Sequence, residues 1–288
     1  MARRAIKTVG LVVKRDRPEA VSLARSLTRL LHTERRGAIA EADIAAKIGA
    51  EGVERHHLAD KADLIVVLGG DGTMLGVARL IAGKPIPILG VNLGGLGFLT
   101  EVTIKEAKAA LERVLKGDFE VDPRIMLEAS VMRASQPLDR VEVFQALNDV
   151  VVSKGPLGRM LVLEVFADHR PFCSYRADGL IISTPTGSTA YALSAGGPII
   201  YPTLGAIVLA PICPHTLTNR PVVLPDSFEI EIRVRAPDHD TTFIVDGQES
   251  AQLGEADSIL IRRGPSQVSL VRSAHGYFEI WREKLHWG

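Results

Sequence analysis

The feature that most constrains this chain is the apolar run Leu64–Leu68, followed directly by Gly-Gly-Asp-Gly-Thr at residues 69–73. Five consecutive, mostly branched apolar residues predict a strand buried on both faces, as in a parallel sheet. Apolar residues then recur at helical spacing up to Gly83. A strand, a glycine-rich turn and a helix N-terminus together favour anion binding, because free N–H groups and the helix dipole point at the ligand. We therefore predict phosphate contacts from Gly69, Gly70, Gly72 and Thr73.

Asp71 is unusual inside a turn of this kind, because its negative charge would repel a phosphate. The residue makes chemical sense if it orients or deprotonates an attacking hydroxyl, or if it holds a cation. The alternative is a turn residue whose side chain bonds to its own backbone. The segment matches neither the dinucleotide pattern G-x-G-x-x-G nor the P-loop pattern G-x-x-x-x-G-K-[ST].

Two domains are predicted from the change in pattern near Asp122. Strands and helices alternate up to that point, which predicts an α/β domain with a mostly parallel sheet over residues 1–122 and ligands at the carboxyl ends of its strands. Short β-rich stretches follow, and they predict a mainly β C-terminal domain over residues 123–275. A short helix in residues 276–288 is expected to pack back on the first domain. Residues 40–60 allow no prediction.

Charge and cysteine content limit the possible functions and partners. The 288 residues include 34 Lys and Arg and 34 Asp and Glu, so the net charge is zero. Zero net charge argues against nucleic acid or an anionic membrane as the main partner. The only cysteines, Cys173 and Cys213, lie far apart without metal-ligand spacing, which favours a reducing cytoplasm. The histidines also lack metal-ligand spacing.

Two polar segments interrupt the β-rich half. Asn148-Asp149 lies between apolar β-type residues, where unsatisfied polar groups would destabilise the fold. We interpret it as a contact to a ligand ribose or amide, with a bulge or a strand-end turn as the alternative. Residues 175–179, which include Arg176 and Asp178, come before an apolar strand. An ion pair at the surface explains that segment equally well.

Two further segments suggest ligand contacts. Residues 183–194 are rich in small hydroxyl residues and predict a well-capped helix start, which offers N–H and O–H donors to a nucleotide. Tyr191 could stack on a base. The alternative for this segment is a capped helix and nothing more. Asp246-Gly247-Gln248 predicts a turn between two strands, and a plain hairpin is its simplest explanation.

Taken together, these segments resemble the bacterial NAD kinases. The Gly-Gly-Asp-Gly-Thr segment alone is shared with lipid kinases and, with Ser for Thr, with phosphofructokinases, whereas the full set in this order is specific to NAD kinases. The matching segments are residues 69–73, 92–99, 148–149, 178–179, 184–191, 214–221 and 246–248.

The resemblance implies a sandwich-like fold for the dinucleotide-binding C-terminal domain. It also implies transfer of the γ-phosphate of ATP to the adenosine 2′-hydroxyl of NAD, with Mg²⁺ or Mn²⁺, at a site between the two domains. It implies that Asp71 accepts the hydroxyl proton with Gly72 beside it. Arg159 stands where relatives often have His, which keeps a hydrogen-bond donor at that position. It further implies a homodimer or homotetramer. The positions that would contact the dinucleotide are Asn148, Asp149, Arg159, Arg176, Asp178, Thr189, Ala190, Tyr191, Ser194 and Gln248.

Three other functions are alternatives to NAD phosphorylation. A lipid or small-polyol kinase would share the Gly-Gly-Asp-Gly-Thr segment but would leave Asn148-Asp149 and residues 186–194 unexplained. A non-catalytic dinucleotide sensor would not need Asp71. A dehydrogenase is disfavoured because the Rossmann pattern is missing.

Overall fold

The computed structural model describes residues 5–134, 141–155, 158–216, 218–235, 241–254 and 256–287. Leu217, in the predicted segment 214–221, lies outside these residues. The chain divides into two compact units. The first unit comprises Met1–Pro123 and Val268–Gly288, and the second comprises Arg124–Gln267.

Strands and helices alternate through the first unit, as the sequence pattern predicts. Residues 40–60, which show no clear pattern in the sequence, contain two short helices and a three-residue strand. The elements are β1 (Thr8–Val13), α1 (Pro18–Thr33), β2 (Gly37–Glu41), α2 (Ala42–Ile48), β3 (Glu51–Val53), α3 (Arg55–Lys61), β4 (Leu64–Gly69), α4 (Asp71–Leu80), β5 (Pro87–Asn92), β6 (Val102–Thr103) and α5 (Ala107–Leu115).

The first unit has a parallel sheet in the order β5-β4-β1-β2-β3, with β6 pairing parallel to β5. Strand β4 is buried along its whole length, which explains its continuous apolar sequence. Pairing of β4 with β5 aligns Gly69 with Asn92. The carboxyl ends of these two strands, each followed by a glycine-rich segment, therefore lie side by side.

The second unit is built of antiparallel strands. The elements are β7 (Val121–Met132), β8 (Val141–Ala146), β9 (Asp149–Ser153), β10 (Leu161–Ala167), β11 (Arg170–Ala177), β12 (Gly179–Ser183), α6 (Tyr191–Ser194), β13 (Ala206–Ile212), β14 (Val222–Pro225), β15 (Ile230–Arg235), β16 (Thr242–Val245), β17 (Glu249–Gln252) and β18 (Ser258–Val271). One sheet has six strands in the order β14-β13-β12-β9-β16-β17, and strands β11, β10, β15 and β18, with β7 and β8, form the other.

One apolar core fills the second unit between its two sheets. Leu127 and Leu163 from one sheet cluster with Val150, Leu180 and Phe243 from the other, and all five are buried. This is the layered packing of a β-sandwich. The predicted fold class, an α/β domain with a mostly parallel sheet and a sandwich-like β domain, is therefore confirmed.

The end of the chain belongs to the first unit from Val268 onward. The division therefore differs from the predicted boundary at residue 275. Residues Ser269 and Leu270 of β18 pair parallel with β5, which joins them to the first sheet. The C-terminal helix α7 (Tyr277–Leu285) follows, and its Tyr277 hydroxyl donates a hydrogen bond to Asp122. Across the described ranges, no helix combines the length and apolar character needed to span a bilayer.

Candidate functional site

The Gly-Gly-Asp-Gly-Thr segment is a direct junction of strand and helix. Gly69 is the last residue of β4, Gly70 is the N-cap with an extended backbone (φ −130°), and Asp71 is the first residue of α4. The turn is therefore shorter than predicted, because Gly70 alone connects the strand to the helix. Asp71 lies in the first helical turn, where the helix dipole stabilises a negative charge.

The carboxylate of Asp71 is held by the loop that follows β5. Its Oδ1 accepts hydrogen bonds from the backbone N–H groups of Leu99 (3.2 Å) and Thr100 (3.1 Å) and from the Thr100 hydroxyl (2.9 Å). Its Oδ2 accepts one hydrogen bond, from the N–H of Phe98 at 3.0 Å. A carboxylate oxygen has two lone pairs, so Oδ2 keeps capacity for one more donor.

Thr100 completes this arrangement, although we did not predict a role for it. Its hydroxyl donates to Asp71 and accepts a hydrogen bond from Nδ2 of Asn92 at 2.7 Å. The residue is fully buried. The sequence carried one weak signal, since Asn92 and Thr100 flank the glycine-rich segment, but their pairing depends on how that loop folds back.

Gly97 permits the loop to approach Asp71 closely. A Cβ on this residue would lie 2.3 Å from Asp71 Oδ1, 2.4 Å from Thr100 Oγ1 and 2.9 Å from Asn92 Nδ2. No carbon atom can occupy that position without displacing the three polar groups. Glycine is therefore required here for space.

The predicted phosphate contacts are differently placed. Gly69 is buried within β4, whereas Gly72 is exposed at the start of α4. Thr73 donates its backbone N–H to the carbonyl of Gly70 at 3.0 Å, so that N–H is already used inside the protein. Gly72 lies at the exposed N-terminus of α4 beside Gly70, where the helix dipole favours a phosphate.

In the second unit, Asn148 and Asp149 lie where β9 begins. Their backbone N–H groups both donate to Oδ1 of Asp246, at 2.8 Å and 3.2 Å, and the N–H of Leu147 donates to its Oδ2 at 3.1 Å. The carbonyl of Asn148 accepts from the N–H of Thr184 at 2.9 Å. The backbone is thus fixed from two sides. Within the described ranges the side chain of Asn148 makes no hydrogen bond to protein.

Asp149 is a carboxyl group in a dry environment. Asp149 is 4% exposed to solvent. Its charged neighbour Asp246 is 7% exposed. Burial and the nearby charge of Asp246 raise the pKa of Asp149 to about 7, against a smaller opposing effect of the Tyr191 backbone N–H. This carboxyl group therefore changes charge near neutral pH.

The segment 183–194 differs from the predicted capped helix. Its helix α6 has only four residues and no side-chain cap. The hydroxyl groups bond to the protein instead, with Thr184 donating to the carbonyl of Leu147 at 2.6 Å and Ser188 to that of Pro185 at 2.6 Å. The Thr184 hydroxyl therefore fixes the segment against the backbone of Leu147, and the Ser188 hydroxyl bonds within the segment itself.

Most of the other predicted dinucleotide contacts lie at the surface of the second unit. Thr189 and Ala190 are partly buried, and the Thr189 hydroxyl donates to the carbonyl of Thr186 at 3.2 Å. Asp178 forms an ion pair with Lys154 at 2.9 Å, which is the alternative foreseen for it. The exposed members are Arg159, Arg176, Tyr191, Ser194 and Gln248.

Among the residues that the structure describes, one group has metal-ligand geometry, and it consists of Glu54, His56 and His57, all exposed. The sequence-based expectation that the histidines lack metal-ligand spacing is therefore corrected for His56 and His57. A magnesium ion bound through substrate phosphates needs only one or two carboxylates from a protein.

These features define a class of protein. An oriented carboxylate beside a helix N-terminus at the carboxyl ends of parallel strands suits phosphoryl transfer to a hydroxyl, because that reaction depends on positioning and charge stabilisation. The class is that of phosphotransferases acting on an alcohol group.

Comparison with known proteins identifies the family. Residues 9–119 match the ATP-NAD kinase N-terminal domain, and residues 147–273 match the ATP-NAD kinase C-terminal domain. An NAD kinase from Geotalea daltonii is 46% identical over 285 residues, covering 98% of this chain and 99% of that protein. The NAD kinase of Solibacter usitatus is 42% identical over 287 residues, with 98% of each chain covered. This chain belongs to the ATP-NAD kinase family.

Solved structures agree with this assignment. Yeast NADH kinase complexed with NADH superposes with a TM-score of 0.92 at 27% identity, covering 99% of this chain and 88% of that one. An NAD kinase from Archaeoglobus fulgidus in complex with ATP shares the fold, with a TM-score of 0.77 at 24% identity and coverage of 97% and 98%. The NAD-kinase interpretation is thus supported over the lipid or polyol kinase, the sensor and the dehydrogenase.

Proposed function

We propose that this chain transfers the γ-phosphate of ATP to the adenosine 2′-hydroxyl of NAD, and that Asp71 Oδ2 accepts the hydroxyl proton. The observation that carries the proposal is that the two oxygens of the Asp71 carboxylate accept different numbers of hydrogen bonds. Among the described residues, three hydrogen bonds reach Oδ1 and one reaches Oδ2. The first oxygen is anchored, and the second is free to accept from a substrate hydroxyl.

In this proposal the 2′-oxygen attacks the γ-phosphorus, its proton passes to Asp71, and ADP leaves. Asp71 orients the hydroxyl before the attack, so that the oxygen approaches along the required direction. The N-terminus of α4, at Gly70 and Gly72, stabilises negative charge on the phosphates. Gly69 and Thr73 support this junction from within the protein.

The divalent cation, Mg²⁺ or Mn²⁺, belongs to the proposal as a companion of ATP. When bound, it would neutralise charge on the phosphates. A cation held mainly by phosphate oxygens would need only one or two carboxylates from the protein, and Asp71 is the candidate.

The dinucleotide contacts are assigned to the second unit. The half-buried Asn148 supports this, because the described residues leave its amide without a hydrogen-bond partner. Tyr191 is 47% exposed and can stack on a base. The remaining proposed contacts are Asp149, Arg159, Arg176, Asp178, Thr189, Ala190, Ser194 and Gln248.

Replacement of Asn148 by Ala is expected to weaken NAD binding by about 1–3 kcal/mol, the usual cost of losing a partner for a buried polar group. Binding of ATP should change little, because the side chain is assigned to the dinucleotide. Titration of each ligand against the wild-type and variant proteins measures both effects.

Ser153→Ala provides the matched control, because Ser153 ends the same strand and its hydroxyl donates to the carbonyl of the neighbouring Lys154. NAD affinity should stay at the wild-type value in this variant. Unchanged NAD affinity in Asn148→Ala would contradict the assignment of Asn148.

Assembly and cellular location complete the proposal. A homodimer or homotetramer is supported by the resemblance to bacterial NAD kinases. A reducing cytoplasm is supported by the cysteines, since Cys173 and Cys213 are both free thiols.

A further inference from the structure

Asp246 lies in the turn between β16 and β17, about a hundred residues beyond the Asn148-Asp149 segment. Its backbone is left-handed (φ 50°), and Gly247 follows with φ 65°. Non-glycine residues rarely adopt this conformation, although Asp tolerates it better than most. The strained conformation places the carboxylate against the start of β9, where it receives the three N–H groups of residues 147–149.

We propose that Asp246 is a positioning residue for dinucleotide binding, because its carboxylate fixes the backbone that presents the side chains of Asn148 and Asp149. The inference rests on the proposed function, in which those two side chains hold NAD. A hairpin turn requires no such contact, since a two-strand connection is complete without a carboxylate that accepts three distant N–H groups. Asp246 is 7% exposed, and its charge acts on the neighbouring Asp149 carboxyl group.

The charge of Asp246 has a second effect, which separates positioning from simple structural support. Three groups act on the Asp149 carboxyl: its apolar surroundings, the Asp246 carboxylate and the backbone N–H of Tyr191. Burial, as the larger cause, and the Asp246 charge together raise the pKa of Asp149 to about 7, so removal of that charge should lower the pKa part of the way. If ionised Asp149 accepts a ribose hydroxyl, NAD affinity rises with pH through the pKa of Asp149. The midpoint should therefore move to lower pH in a neutral variant.

The test compares Asp246→Asn with wild type in the complete enzyme. Asn keeps the size but loses the charge and one acceptor oxygen. The KM for NAD should rise about tenfold, the effect expected from losing one hydrogen bond to a charged acceptor, while kcat and the KM for ATP stay within about threefold. The midpoint of NAD affinity against pH, measured between about pH 5.5 and 8.5, should lie near 7 in wild type and lower in the variant.

Two further variants complete the experiment. Ser250→Ala changes an exposed residue of β17 and should behave as wild type. Asp246→Glu keeps the charge but displaces it, so its KM for NAD should rise while the midpoint stays near the wild-type value. If Asp246→Asn does not fold, the KM for NAD of Asp246→Glu decides the test. The midpoint of NAD affinity against pH in the wild-type enzyme can be measured without any variant.

The outcomes separate the inference from the proposed function. An unchanged KM for NAD in the Asp246 variants, or a wild-type NAD affinity that does not change through pH 7, overturns the positioning role even if Asn148→Ala weakens NAD binding. If Asn148→Ala leaves NAD binding unchanged, the assignment of the dinucleotide contacts has failed and the inference fails with it.

Discussion

Replacement of Asp71 by Asn is expected to lower kcat for NADP formation by at least about 10²–10⁴-fold, the usual contribution of a general base. Asn has one acceptor oxygen where Asp has two. If its oxygen keeps the place of Oδ1, its amide group faces the N–H of Phe98 and cannot accept from it. We therefore also expect a loss of stability of about 1–3 kcal/mol.

The measurement must report NADP, because hydrolysis of ATP by water could continue without a base. Thr100→Val is the matched control, since it removes the hydroxyl bonded to Asp71 Oδ1 but keeps the carboxylate. Its stability should fall by a similar amount, whereas its kcat should stay within about tenfold of wild type. An Asp71→Asn enzyme that forms NADP within a few-fold of the wild-type rate would rule out Asp71 as the base.

The second large effect is expected at Gly97. In Gly97→Ala the new methyl group would occupy space within 2.9 Å of Asp71, Thr100 and Asn92, so these groups must move. A displacement of about 1 Å at a reacting group can reduce turnover by about 100-fold, and overpacking of this kind costs about 1–3 kcal/mol of stability. Steady-state kinetics and thermal unfolding measure the two effects.

Gly95→Ala is the control for this change, because a Cβ at Gly95 meets its nearest neighbour, Glu283 Oε1, at an ordinary 3.7 Å. The melting temperature of that variant should match wild type. A Gly97→Ala enzyme with normal turnover would show that the close approach of this loop to Asp71 has no catalytic importance.

Local sequence patterns predicted the first unit well. A buried parallel strand requires a continuous apolar run, and β4 supplies one that is easy to recognise. The two glycine-rich segments lie at adjacent strand ends because β4 and β5 pair in parallel, which fits the predicted parallel sheet with ligands at the carboxyl ends of its strands. Short elements such as α2 and β3 were missed, since stretches this short carry little periodicity.

Tertiary contacts were harder to predict from local sequence patterns. Gly264-Pro265 indicates a turn in the sequence, yet β18 continues through it. A Cβ at Gly264 would lie 3.3 Å from the carbonyl oxygen of Met126, so the glycine serves close packing rather than a turn. The role of Asp246 was hidden for a similar reason. Its partners at residues 147–149 are distant in sequence, and no local pattern indicates which backbone groups a carboxylate will meet.

The most direct test of the account is product identification with the wild-type protein. The enzyme is incubated with NAD, ATP and Mg²⁺, and the products are separated and analysed for the position of the new phosphate. We expect NADP with its phosphate on the adenosine 2′-oxygen, formed together with ADP, and no NADP when the cation is removed by chelation. A protein that forms no NADP under these conditions, or that phosphorylates another position, would contradict the account.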